Sequence, residues 1–227
     1  MSKRPGRPSG DTQSRQQLID AARALFVSMP YNRVSTRLLA EKAGVNAALI
    51  RYYFGDKAGL YEAMLRDTLA PMREKMLQAS RNPDQTDIQD IIETYYKVMA
   101  PSPDLPKLLL RAMMMDENEA PRQITEGVFI DLIHSSQQWL TRSLVENHHL
   151  KEGVNPNFAR LSFVSLTVFP FLAPPQLLAK LGIDLSTETL SVLAHHNGNV
   201  LKQGMLSGGL HKSTGKPEDG ESGGNHD

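Results

Sequence analysis

The residues able to do chemistry in the first quarter of this chain fall at two helix starts. Ser35, Thr36 and Arg37 open one short helical pattern, and Asn46, Ala47, Ala48, Arg51, Tyr52 and Tyr53 fall at and after the start of the next. Hydroxyls and free backbone N–H groups at a helix start suit a phosphate. An arginine presents a planar fork that matches the O6 and N7 acceptors of guanine, and alanine methyls suit the methyl of thymine. This is chemistry for reading DNA, with Arg51 and Tyr52 toward base edges and Tyr53 toward a phosphate. Each residue also has a plainer reading: Ser35 as a pure cap, Tyr52 and Tyr53 as packing. Catalytic chemistry is not legible. No G-x-S-x-G, phosphate-cradling loop or dinucleotide fingerprint occurs. The paired histidines at 148–149 and 195–196 diverge by about 100° if helical, and there is no H-x-x-x-H and no cysteine. No metal, no cofactor and no enzymatic activity are expected.

The elements that must hold these residues follow from spacing. Ser35 can accept an orphan N–H of a helix running to Ala43, with Leu39 and Ala43 inward. Gly44 stands where a left-handed C-cap is needed, a conformation glycine adopts without steric cost. Asn46 caps the next helix, Ala47 to Phe54, whose buried side is Leu49, Ile50 and Phe54. Two short helices joined by a glycine turn make a helix-turn-helix. A supporting helix begins at the capping box Ser14-x-x-Gln17, with Leu18, Ala21, Ala22, Leu25 and Phe26 on one stripe. Residues 1–12 read as a flexible basic arm, whose Arg4 and Arg7 suit the negative minor groove, or else as a solvated tail.

From Ser14 to Leu65 the chain resembles the DNA-binding domain of the TetR/AcrR family of bacterial transcriptional regulators. The resemblance rests on LIDAARALF (18–26), VSTRLLAEKAGV (34–45) and ALIRYYFGDKAGLYEAML (48–65). It implies a phosphate contact for Lys57, a homodimer, and a small effector that re-angles two DNA-binding heads. One departure matters. Where such proteins usually carry tyrosine this chain has Arg51, so the tyrosine's role does not transfer.

Net charge is zero only as an average. Residues 1–66 hold eleven Lys/Arg against five Asp/Glu, and the remainder holds 14 against 20. The basic part suits a polyanion and the acidic part does not. No stretch approaches the ~20 apolar residues of a membrane span, and the start lacks the apolar core of a secretory signal. With no cysteine, a cytoplasmic protein is expected.

Beyond residue 56 the pattern is helical throughout, so the fold expected is all-α. It comprises a three-helix helix-turn-helix domain (13–55), a helical effector-binding and dimerisation domain (56–207) and a disordered tail (208–227), about nine helices in all. Helices are expected from Asp56 to about Ala79, from Asp87 to Met99, from Leu105 to Asp116 and from Pro121 to about Asn147. Another starts at Asn155-Pro156 and is bent or stopped by Pro170, Pro174 and Pro175. The last runs from Ser186 to about Ser207. On it Leu190, Leu193, Asn197, Val200 and Gly204 repeat at 3, 4, 3 and 4, widened by Leu201. That is a helix-packing stripe, either an internal seam or a dimer interface. Tyr95, Tyr96, Met99, Met113, Trp139 and Phe163 are the large, soft side chains from which a pocket for an apolar or amphipathic effector would be built, or else plain core.

The function expected is a ligand-responsive, sequence-specific repressor on a palindromic operator. Two rivals are an architectural protein that coats DNA without sequence preference and an all-α ligand-binding module that binds none.

Overall fold

The computed structural model describes residues 9–82, 86–140 and 150–207, without the side chains of 9–11 and 132–140. Arg4, Arg7, the side chain of Trp139 and the C-terminal tail therefore lie outside the described residues. Among those residues the chain forms ten α-helices and no strand: α1 (Ser9–Ser28), α2 (Thr36–Ala43), α3 (Ala48–Phe54), α4 (Lys57–Arg81), α5 (Ile88–Met99), α6 (Leu105–Met113), α7 (Ala120–Leu140), α8 (Pro156–Leu172), α9 (Pro175–Lys180) and α10 (Thr187–Met205). A single 3-10 turn, Tyr31–Arg33, joins α1 to the start of α2.

Two expectations are corrected, the start of the first helix and the connection after α8, and the proline reading of α8 is narrowed. The first helix starts at Ser9, so Ser14 lies inside it rather than capping it. Thr12 and Gln13, exposed and without apolar neighbours, extend a helix that is nucleated by the stripe below them. Pro170 does not stop α8, which continues to Leu172. Pro174 and Pro175 open an unforeseen short helix, α9, because proline is favourable at a helix start where its missing N–H costs nothing.

Pro170 shows how α8 tolerates an internal proline. Proline cannot supply the N–H that would bond to the carbonyl four residues back, Leu166 O. That carbonyl instead accepts from the Tyr96 hydroxyl at 3.2 Å and from Asn197 Nδ2 at 3.0 Å. Asn197 Nδ2 also reaches the Tyr96 oxygen at 2.9 Å. Residues from α5, α8 and α10 thus meet at one satisfied polar node, as buried polar groups must. Burial pushes the Tyr96 hydroxyl up to about 12, opposed by its bond with Asn197.

A continuous apolar core runs through the molecule from Leu18 and Phe26 of α1, through Leu60, Met64 and Leu65 of α4, to Leu190 and Leu201 of α10. The long α4 is its spine, packing on α1, α5 and α7. The α10 stripe turns out to be mainly an internal seam against α5 and α8: Leu190, Ala194, Asn197 and Leu201 are buried within the single chain. Leu193 is half-buried, while Val200 and Gly204 are exposed. A side chain already enclosed by its own fold leaves no surface for a partner, so Leu190, Asn197 and Leu201 are core rather than interface.

Candidate nucleic-acid interface

The corner between α2 and α3 is built by local hydrogen bonds that the residue types demand. Ser35 Oγ accepts from Leu38 N at 3.1 Å, capping α2. At the other end Gly44 adopts φ 68°, and Val45 N returns to Ala40 O at 3.0 Å. This is the closing pattern of a left-handed helix cap. Asn46 Oδ1 then accepts from Ala48 N at 2.8 Å and starts α3. The cap takes one of the two lone pairs of Asn46 Oδ1, so the other lone pair and the amide nitrogen can both meet a partner.

Burial sorts the two helices cleanly. Leu39, Ala40 and Ile50 are enclosed, and Leu49 and Phe54 pack against the same core. Thr36, Arg37, Asn46, Ala47, Ala48, Arg51 and Tyr52 are exposed, as is Ser35 around its capping bond. Tyr52 is 70% exposed, held edge-on against Tyr53 with centroids 4.8 Å apart, while Tyr53 is half-buried. Arg15 of α1 lies over the Phe54 ring at 5.3 Å, placing a further cation beside the end of α3. Sequence reasoning missed Arg15 because nothing local ties residue 15 to residue 54.

The α3–α4 corner is tight. Asp56 caps α4 through Gly59 N at 2.8 Å. A Cβ on Gly59 would lie 2.0 Å from the Phe54 carbonyl oxygen, so no other side chain fits there. Lys57, at the first position of α4, is half-buried and turned inward. Its ammonium donates to Tyr31 O at 3.1 Å and sits 4.1 Å from the centroid of the Tyr31 ring. Burial lowers its pKa from the ordinary lysine value. One of the three N–H donors of the ammonium is directed to Tyr31 O, an arrangement compatible with the phosphate contact that the resemblance implies for Lys57.

Behind this corner, Phe26, Tyr31 and Tyr61 form an aromatic cluster with centroids 5.0–5.4 Å apart. The buried Tyr61 hydroxyl pairs with Thr125 Oγ1 of α7 at 3.2 Å. Arg111 of α6 donates to Val27 O of α1 at 3.1 Å, and Arg23 of α1 pairs with Asp67 of α4 at 2.8 Å. Arg66 of α4 reaches Asp131 of α7 at 2.8 Å. The helix-turn-helix head is therefore joined to the body by both polar and aromatic contacts.

In the body, Tyr95 and Tyr96 meet Phe171 with centroids 5.8 and 5.6 Å apart, and Met99 and Phe163 are buried in the same core. Burial raises the Tyr95 hydroxyl pKa strongly. Phe171 was missed by sequence reasoning, since prolines on either side read as a loop. Met113 lies at the end of α6, where Arg122 Nη1 meets its sulfur at 2.9 Å. Of these residues Tyr96 borders a described cavity, about 110 Å³, with Lys97, Thr187 and Leu190. Larger clefts of about 450 and 510 Å³ flank Pro71 of α4, one bordered by Leu69 and Val128, the other by Arg23 and Val98. No group of three or more possible metal ligands occurs among the described residues.

A helix-turn-helix head with an exposed Arg/Tyr face, carried on an all-helical body, defines a DNA-binding architecture. Residues 18–64 match the family described as "Bacterial regulatory proteins, tetR family". This stretch is similar to the HTH-type transcriptional regulator BetI of Cronobacter sakazakii, 40% identical over 60 residues. That match spans 26% of this chain and 30% of BetI, so it is confined to the head. The whole fold is similar to that of SmeT in its triclosan complex, with TM-score 0.64, 16% identity, and coverage of 92% of this chain and 99% of that one. It also resembles FadR from Bacillus subtilis in complex with stearoyl-CoA, with TM-score 0.62, 18% identity, and coverage of 83% and 98%.

Proposed function

We propose that this chain is a ligand-responsive, sequence-specific DNA-binding regulator, a cytoplasmic repressor released from a palindromic operator by a small effector. The observation that carries the reading is the sorting of the α2–α3 corner. Apolar side chains are enclosed, and Thr36, Arg37, Ala47, Ala48, Arg51 and Tyr52 stand exposed in the half of the chain that is net basic. Arg51 reads guanine, the alanine methyls meet thymine, and the α2 start with Ser35, Thr36 and Arg37 holds phosphates, as does Tyr53. Arg4 and Arg7 add minor-groove contacts from the arm.

One short recognition helix rarely provides enough affinity, and a two-fold dimer reads a palindrome. The surface suited to a second copy is the outward side of α8 and α10. There Phe158, Leu161, Val164 and Phe169 stand exposed, with Val192 and Val200. Apolar exposure on this scale marks a protein contact. In this reading Val200 and Gly204 of α10 line the interface together with the exposed apolar residues of α8. The aromatic cluster of Tyr95, Tyr96 and Phe171, with Met99 and Phe163, suits an apolar or amphipathic effector. Triclosan on SmeT and stearoyl-CoA on FadR are of that character. Among the described residues no helix is long and apolar enough to cross a membrane.

The test is a titration of labelled DNA from upstream of the chain's own gene, against scrambled DNA, at two salt concentrations. Tight, salt-sensitive binding to the upstream fragment alone is the expected result. Arg51→Ala should then cost about 1–3 kcal/mol on that fragment and less on scrambled DNA. Equal binding to both fragments, with equal loss in the variant, would favour a general DNA coat. Absence of binding to either would favour a ligand-binding module.

A further inference from the structure

We propose that the DNA-binding surface extends beyond the helix-turn-helix onto α1, where Arg15 contacts a backbone phosphate beside the one met by Tyr53. The proposal rests on the DNA-binding reading above and carries it to a residue that reading leaves unassigned.

The stripe that buries α1 repeats at Phe26, Ala22 and Ile19, each fully enclosed. Its next step toward the helix start is Arg15. Steps of four, three and four residues keep one helix face, so Arg15 stands where that face leaves the core. The residue is exposed, and its guanidinium carbon lies over the Phe54 ring, 5.3 Å from the centroid. An arginine at such a rim covers apolar surface with its stem and presents its charged head to water, and the ring face holds the cation in place. The N–H groups lie around the edge of the guanidinium plane. Among the described residues no hydrogen bond or ion pair takes one of them.

The arginines of the head divide by their use of carboxylates. Arg23 of α1 is bound to Asp20 and to Asp67 of α4. Arg15, Arg33, Arg37 and Arg51 are exposed and enter no ion pair among the described residues. Of these, Arg37 and Arg51 already belong to the face offered to DNA. Ring contacts connect Arg15 to that face: Tyr52 meets Tyr53 at 4.8 Å, Tyr53 meets Phe54 at 6.0 Å, and Phe54 carries Arg15. Each DNA strand carries one charge per about 3.4 Å of axis, so a cation two ring contacts from Tyr53 has a neighbouring phosphate within reach. The planar fork matches two oxygens of that phosphate.

A phosphate contact and a lid over Phe54 differ in salt dependence. In the full chain, titrated on the upstream and scrambled fragments over a range of salt, Arg15→Gln should make the slope of log affinity against log salt shallower by about 0.9 per half-site. The loss should be alike on both fragments, unlike that of Arg51→Ala, because a phosphate carries no sequence. Arg15→Lys, which keeps the charge, should keep the parent's slope. If Arg15→Gln also loosens the end of α3, read as faster amide exchange in residues 50–55, the decision passes to Arg15→Lys: the parent's slope supports the contact and a shallower one overturns it. A parent that binds, with an unaltered slope in Arg15→Gln, overturns the Arg15 contact alone. A parent that binds neither fragment overturns the DNA-binding reading, and Arg15 with it.

Discussion

The head and the body of this protein divide polar from apolar residues in opposite ways. In the head, among the described residues, the large hydrophobic side chain left exposed is Tyr52, on the face offered to DNA. The buried polar residues Ser80, Thr86, Thr125, Thr167 and Asn197 all lie beyond it. The body does the reverse, enclosing those groups while exposing Phe158, Leu161, Phe169 and Val192. A region that buries apolar groups and, apart from Tyr52, shows no large apolar side chain has little surface left to cover against a second copy. A region that exposes aromatic residues has surface still to cover, and one that buries hydroxyls and amides uses directional bonds to fix how its helices meet. In the proposed reading, the surface for DNA and the surface for a second copy thus lie in different halves.

Four substitutions sharpen or break this comparison. Gly59→Ala should have the largest effect, about 3 kcal/mol of stability at the upper end of overpacking costs, because its neighbour is a backbone carbonyl that cannot turn aside. Thermal melts would show it, and a melt unchanged from the parent would mean that the α3–α4 corner is looser than described. Phe158→Glu should cost about 2 kcal/mol of association, as expected for a central aromatic anchor, and leave binding of DNA by the head intact at saturating protein. Light scattering that still gives the parent's mass would place the partner surface elsewhere. Asn197→Leu should cost about 1–2 kcal/mol by removing two hydrogen bonds from the polar node. It should act on the body alone, so an equal loss of protection in α1–α3 by hydrogen exchange would contradict independent halves. Ser35→Ala, removing one cap, should cost about 1 kcal/mol and speed exchange at the α2 start. No change there would show that the Ser35 hydroxyl is dispensable to the fold.

The head was legible in the sequence because its geometry is local. Ser35 acts on Leu38, Gly44 closes α2 and Asn46 acts on Ala48, all within a few residues. The contacts that escaped are those that close long loops. Lys57 to Tyr31 spans 26 residues, Arg15 to Phe54 spans more, and neither leaves a periodic trace. In the body the stripe on α10 was recognised correctly as a packing face, but a stripe does not say what covers it. That Leu190, Asn197 and Leu201 face α5 and α8 of the same chain depends on tertiary placement. The prolines misled for a related reason. Read locally they interrupt helices, and only the assembled fold shows Pro170 carried through α8 and Pro175 beginning α9.

Pro170 has a consequence of its own. A carbonyl oxygen has two lone pairs, and at Leu166 one is taken by the Tyr96 hydroxyl and the other by the Asn197 amide. The valence is full only because proline withholds the donor that any other residue would bring to the same oxygen. An alanine at 170 would improve α8 as an isolated helix and make three donors compete for two acceptor sites. The helix that is better by itself would be the one less able to hold its neighbours.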